Sequence, residues 1–413
     1  FLGFILIRNS RKNLIPIFYS SYSISTISAL LLINLFLYEY DSPYFMGGSD
    51  EVHYEEKGLE FSNNYTIYEY LKIRGNVVVP WHNSVGYIYV VGLLAKFGDI
   101  FGGFDTMLPR LFNIFSLSFI AIFLYKISLA LNFKSKIAYK NSIIIMLFPL
   151  MIWTSVQTLR DTIASLIILI FVYIWLLYFK NKFKYRTSFL LFISIILILI
   201  LSEIRMVQAI VLLILMPIYY VLKLKSLKMN NTILLIIPSF FLIIFFLISF
   251  IFSFINLDLI FLLNNYLSYR SEVSGSGVSS IIFSTQLFPF GWFLRYLYAL
   301  ITPLPLTFYP IDTAFLSFGT MIQIVFLPYL FVGINKSLND TKWYFILFPF
   351  IFLLSGMALF SFTTRHLVQV IPFGILLISF GLINYKRSKW YMLFFVFLIV
   401  LLILNLFLIL KYI

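Results

Sequence analysis

A chain of 413 residues that is 62% hydrophobic, 20% aromatic and only 11% charged is too apolar for a soluble domain, where about a quarter of residues are charged. The absence of cysteine excludes disulfides, thiolate metal sites and cysteine nucleophiles. The net charge of +14 does not point to nucleic acid, because Lys and Arg sit in short loops between apolar runs, a pattern that reports membrane topology.

Phe1–Ile7 is apolar and does not begin with Met; it reads as the remnant of an earlier span or as a chain missing its start. No cleavable signal peptide is recognisable. Apolar runs of about 20 residues, the length that crosses a bilayer, then recur along the chain. Spans are predicted at 14–38, 107–131, 139–157, 162–180, 188–203, 207–224, 231–254, 313–335, 343–362, 366–385 and 389–410. The runs are continuously apolar rather than alternating, which argues against a β-barrel. The expected fold class is an all-α polytopic membrane protein with about 11 transmembrane helices. Three modules follow: 1–254 as the catalytic transmembrane module, 255–312 as an outer loop with re-entrant or interfacial segments, and 313–413 as C-terminal transmembrane helices.

Basic residues set the orientation. Arg8, Arg11 and Lys12 precede the first span, and Lys126, Lys134, Lys136 and Lys140 surround the next turn on the same side. The groups Lys180–Arg186, Lys223–Lys228, Lys336–Lys342 and Lys386–Lys389 continue the alternation, with Asp340 the one acid among them. These loops are placed in the cytoplasm, so the N-terminus is cytoplasmic and loop 39–106 faces outward. Val85–Phe97 is too short to cross and reads as a helix in the outer interface. Phe288–Tyr309, with Pro289, Pro303 and Pro305, reads as a broken or re-entrant segment. Between 271 and 280, Gly and Ser predict a mobile outer loop. No P-loop and no G-x-G-x-x-G is present, so an activated substrate has to arrive by another route, and a lipid-borne one suits a membrane site.

Eight of the 16 acids fall between 39 and 69: Glu39, Asp41, Asp50, Glu51, Glu55, Glu56, Glu60 and Glu69. Carboxylates are costly near lipid, so a cluster at a membrane boundary is a candidate site. Asp161, at the end of the turn Thr154–Asp161, belongs to the same side. A carboxylate within hydrogen-bond reach of a hydroxyl is a general base. A second one orients it or shares a divalent cation, the only cofactor the sequence brings into view, with Asp50 and Asp161 as its ligands. Arg205, Arg270, Arg295 and Arg365 lie at outer span ends and suit a phosphate-linked lipid through their planar forks. Each feature has a plainer reading. Asp50 and Glu51 are then solvated loop charge, Asp161 pairs with Arg160 or caps the next helix, and the arginines are headgroup anchors.

Ser49-Asp50-Glu51-Val52-His53-Tyr54 resembles the start of the first outer loop in the GT-C superfamily of membrane glycosyltransferases, most closely the protein mannosyltransferase and lipid A aminoarabinose transferase branch. Val77–Tyr89 resembles the family's interfacial helix, and Lys96-Phe97-Gly98 and Pro109-Arg110-Leu111-Phe112 continue the pattern. Phe148-Pro149 through Arg160-Asp161 resembles its second outer loop, and Thr364-Arg365-His366-Leu367 to Pro372 a later Arg-then-Pro pattern. The likeness covers about residues 14–180. Asn83-Ser84 departs from the Lys-Pro or Pro-Pro that precedes the interfacial helix in many members.

The resemblance implies Asp50 as catalytic base, assisted by Glu51 and Asp161. It implies His53, Tyr54, Arg205, Arg270, Arg295, Arg365 and His366 as substrate contacts, and a polyprenyl-phosphate-linked sugar as donor. The acceptor is a lipid, glycan or protein hydroxyl, and the location a bacterial inner or cell membrane. Two other functions fit the same features: an O-antigen- or capsule-type polymerase or ligase, with 255–312 as its long late loop, and a lipid-linked sugar transporter or flippase. Transporters place ionisable groups mid-membrane, whereas the acids here collect at one boundary.

Overall fold

The computed structural model describes residues 14–45, 48–64, 85–181, 187–226, 282, 291–302, 306, 311–360, 364–385, 394, 398–399, 401–403 and 405. Every regular element among them is helical: α1 (Leu14–Tyr40), α2 (Ser49–Asn64), α3 (Gly86–Asp99), α4 (Met107–Ala130), α5 (Ser135–Leu147), α6 (Pro149–Ser155), α7 (Asp161–Phe179), α8 (Thr187–Ile204) and α9 (Met206–Ser226), then α10 (Trp292–Ile301), α11 (Ile311–Ser337), α12 (Tyr344–Phe360) and α13 (Ile371–Asn384). The 3-10 turns Thr341–Trp343 and Thr364–Gln369 precede α12 and α13. Seven described helices are long and apolar enough to cross a bilayer, and eight if the bent pair α5–α6 is one span. The chain is thus an all-α, multi-pass integral membrane protein. Of the eleven predicted spans, 231–254 and most of 389–410 lie outside the described residues.

Two predicted spans come out differently. The span at 139–157 is bent by 56° between α5 and α6. Pro149 opens α6 and forces Phe148 before it into an extended conformation, with φ −69° and ψ 121°. The span at 366–385 is a 3-10 turn followed by the 14-residue α13, with Pro372 in its first turn, where a missing N–H costs nothing.

Packing divides the chain into two compact units, Phe1–Leu212 with Val368–Ser379, and Leu213–Leu367 with Phe380–Ile413. In the first, α4 packs against α1, α5 and α7, while α2 lies along α3. Ser21, Ser25 and Ala29 recur every four residues on α1 and, with Phe18, form its buried face. Phe18 meets Phe115 and Phe119 of α4 edge-on. Ile27, Leu30 and Leu31 of α1 are exposed, as a lipid-facing surface requires. Two polar contacts tie spans together: Trp175 Nε1 donates to Ser194 Oγ (3.0 Å), and Asn141 links Ser128 and Ser379. Helices α4 and α7 each end on an asparagine with positive φ, Asn132 (70°) and Asn181 (55°), and Lys180 Nζ reaches Asn132 Oδ1 (2.6 Å). The basic turns at 131–136 and 180–181 therefore meet at one end of this unit.

In the second unit Tyr298 of α10, Leu306, Ile324 of α11 and Leu401 share a core. Trp343 stacks on Phe380 with ring centroids 4.0 Å apart. Gly381 lets α13 cross α11 closely, since a Cβ there would lie 1.9 Å from the Tyr329 carbonyl oxygen.

Candidate functional site

The end of the first unit opposite the basic turns gathers the connection after α1, helices α2 and α3, the start of α4, the α6–α7 turn and the α8–α9 junction. Gly48 starts α2. It has φ +68°, its N–H bonds the Phe45 carbonyl (2.8 Å), and a Cβ would fall 2.3 Å from Tyr44 Cβ. Only glycine makes this turn without strain, and the turn folds Tyr44 back along α2. Asp50 and Glu51 occupy the first turn of α2, where the helix dipole favours negative charge.

The buried stripe of α2 is Glu51, Tyr54, Glu55, Gly58, Phe61 and Ser62, a helical period carrying two carboxylates. Gly58 allows the close approach of α3, because a Cβ would sit 2.6 Å from Val91 Cγ1. Lys96 of α3 donates to the Ser62 carbonyl (2.7 Å) and ties down the end of α2. On α3 itself Tyr87, Ile88, Val91 and Ala95 are buried, whereas Leu93 and Phe97 are exposed. At 14 residues it is too short to cross a bilayer.

Glu51 and Glu55 are each 3% exposed. Glu51 Oε2 accepts the Thr158 backbone N–H (2.9 Å) and lies 3.6 Å from Arg110 Nη2. Glu55 Oε1 accepts the Thr158 hydroxyl (2.5 Å), and Glu55 Oε2 accepts the Tyr44 hydroxyl (2.8 Å). Arg110, wholly buried on α4, also donates to the Pro43 carbonyl (2.7 Å), and its guanidinium lies 5.5 Å from the Tyr44 ring. Its Nε and Nη1, and Glu51 Oε1, have no hydrogen-bond partner among the described residues. Asn113, one turn further along α4, donates to Tyr87 Oη and to the Gln157 and Leu159 carbonyls, which fixes the α6–α7 turn.

Desolvation dominates the electrostatics. Burial pushes the Glu51 carboxyl up to about 7, against the pull of Arg110 and the Thr158 N–H. Burial raises Glu55 too, although the Thr158 and Tyr44 hydroxyls favour its anion. Tyr44 is raised by burial and by the neighbouring Glu55.

The remaining predicted residues fall as follows. Asp161 is completely buried, and its Oδ1 pairs with Arg205 Nη2 at 2.5 Å. Arg160, the partner weighed from sequence, instead donates to the Ile204 carbonyl (3.1 Å) and lies 6.0 Å from the Tyr54 ring. No side chain caps α7. Asp50 is half-buried, turned about 100° away from Glu51 by the helical period. The solvated-loop reading therefore fails for Glu51. Tyr54 is buried edge-on against Tyr87 (5.0 Å between centroids), and His53 is half-buried beside it. Arg295, buried on α10, donates to the Ile282 carbonyl (3.4 Å). Arg365, half-buried, and His366, buried, sit in the 3-10 turn before α13. These last three belong to the second unit. Arg270 lies outside the described residues.

No group of three or more His, Asp and Glu side chains among the described residues is arranged to hold a metal ion. Glu51 and Glu55 are instead held by neutral donors and one arginine. Tyr44, Asn113 and Thr158 are site components that the sequence alone does not single out, and Glu55 stands out there only as one member of the acidic cluster. The available signal was the four-residue spacing of Glu51 and Glu55 on an otherwise polar helix. No family model matches the chain, nor does any curated protein or solved structure.

Proposed function

We propose that the protein is a glycosyltransferase that moves a sugar from a polyprenyl-phosphate carrier to an acceptor hydroxyl at the extracytoplasmic face. Its first outer segment resembles GT-C enzymes in Ser49–Tyr54. The observation that carries the reading is the tie between Glu51 and the Thr158 N–H. This tie joins the two acidic segments, 107 residues apart, at the end of the unit away from the basic turns.

In this reading Asp50 is the base. Its carboxylate takes the proton of the acceptor hydroxyl as that oxygen attacks the anomeric carbon. The bond from that carbon to the phosphate oxygen breaks with inversion, and polyprenyl phosphate leaves with the added negative charge. A guanidinium beside that phosphate would stabilise the charge. Glu51 and the Asp161–Arg205 pair hold the frame on which Asp50 stands. Asp161, wholly buried and paired with Arg205, is not placed to share a divalent cation with the half-buried Asp50, so no step here is routed through a metal.

The test is to supply the purified chain, in lipid nanodiscs, with a polyprenyl-phosphate sugar and membrane-extracted acceptors. Release of polyprenyl phosphate with one sugar transferred per acceptor supports the reading. Long polymers in place of single additions favour a polymerase, and movement of intact donor across vesicles without bond cleavage favours a transporter.

A further inference from the structure

The reaction above gives the proton transfer to Asp50 and leaves Glu55, Arg110 and Thr158 without a task. All three are buried, and their contacts converge on the first two turns of α2. Thr158 donates its N–H to Glu51 and its hydroxyl to Glu55, bridging two successive turns of one helix from a turn more than a hundred residues away. Tyr44 closes the same arrangement on Glu55 from the other side, and Arg110 joins Glu51 to the carbonyl of Pro43.

This is a poor way to gain stability. Burying two carboxylates and a guanidinium carries a desolvation cost that apolar side chains of like volume would avoid. Among the described residues the cluster also leaves Arg110 Nε and Nη1 buried without hydrogen-bond partners. What it supplies is direction. Apolar packing tolerates rotation of a helix about its axis, whereas hydrogen bonds to two carboxylates one turn apart fix both rotation and height. Asp50 directly precedes Glu51 on the helix, so the bonds that hold Glu51 also set its position.

We infer that Thr158, Glu55 and Arg110 are positioning residues: they lock the rotation of α2 so that Asp50 faces the acceptor. The inference rests on the glycosyltransferase reading for its kinetic arm and is independent of it for its structural arm.

The kinetic arm compares Thr158→Val, which removes the hydroxyl and keeps the N–H, with Thr158→Ser, which keeps both. Glu55→Gln is added because an amide offers one acceptor where the carboxylate uses two. Thr158→Val and Glu55→Gln are each expected to lower kcat on the order of 10- to 100-fold, with the donor KM within about twofold. Thr158→Ser restores kcat, and the double variant loses less than the product of the two single effects, since both loosen the same hold on the rotation of α2. A rise in KM at unchanged kcat, or equal loss with Ser and Val, overturns the inference.

The structural arm reads amide hydrogen exchange of Val52–Glu56 in the full chain. Exchange is expected to speed by about tenfold or more in Glu55→Gln. Unchanged exchange overturns the inference whether or not sugar transfer is found. If Thr158→Val does not fold, the isosteric Glu55→Gln carries both arms. Faster exchange in a chain that transfers no sugar leaves the lock standing and removes the glycosyltransferase reading alone.

Discussion

Arg205 and Asp161 form a buried ion pair, with Nη2 and Oδ1 2.5 Å apart, at the junction where α7 begins and α8 gives way to α9. The pair joins two elements 44 residues apart. Removing one partner leaves a charge in a place where water cannot replace the lost contact. Asp161→Asn is therefore expected to destabilise the fold by roughly 3–5 kcal/mol. Thermal unfolding in detergent should show a clear drop, and adding Arg205→Met should recover part of it. A double variant that loses the sum of the two single losses would contradict the pairing.

Glu51 makes stability depend on pH. Its carboxyl is pushed from the usual 4.5 to about 7 in the folded chain. Below about 4.5 it is protonated in folded and unfolded chains alike. Between about 4.5 and 7 the folded chain holds a proton that the unfolded chain has lost, so stability falls as pH rises through this window. The full loss is about 3 kcal/mol. Glu51→Gln should shrink the fall in melting temperature between about pH 5 and 8, leaving the part that the raised Glu55 carboxyl contributes. A wild-type chain whose stability is level across that range would rule out the raised carboxyl.

Two glycines with positive φ separate backbone strain from crowding. At Gly48 an added methyl would meet Tyr44 Cβ at 2.3 Å, whereas Gly102, with φ +108°, has nothing within 4 Å. Gly102→Ala should cost only the backbone term, about 1–2 kcal/mol. Gly48→Ala should cost more and also lower transfer activity, because it displaces Tyr44 from Glu55. Equal effects on stability and activity would show that the turn before α2 does not control the site.

Much of the fold was legible. Spans predicted at 14–38, 107–131, 162–180, 188–203, 207–224 and 313–335 match α1, α4, α7, α8, α9 and α11 to within a few residues, because a bilayer demands long uninterrupted apolar runs. The break at Pro149 was less visible, since the hydrophobicity continues through it. At the site, basic-loop alternation predicted that 39–69 and 154–161 share one side, and the contact of Thr158 with Glu51 and Glu55 joins those two segments. Which acid turns inward was not visible. Periodicity reading looks for apolar stripes, and the inward stripe of α2 carries Glu51 and Glu55 among its members. The partner of Asp161 was equally hidden, because Arg205 approaches from the end of a different span and only packing brings it close.

The central claim is tested most directly by Asp50→Asn, measured as single-turnover transfer from a polyprenyl-phosphate sugar with Glu56→Gln, an exposed neighbour on α2, as control. Loss of a general base is expected to slow turnover by about 100-fold or more with the fold intact and donor binding retained. Turnover equal to that of the control would contradict the assignment.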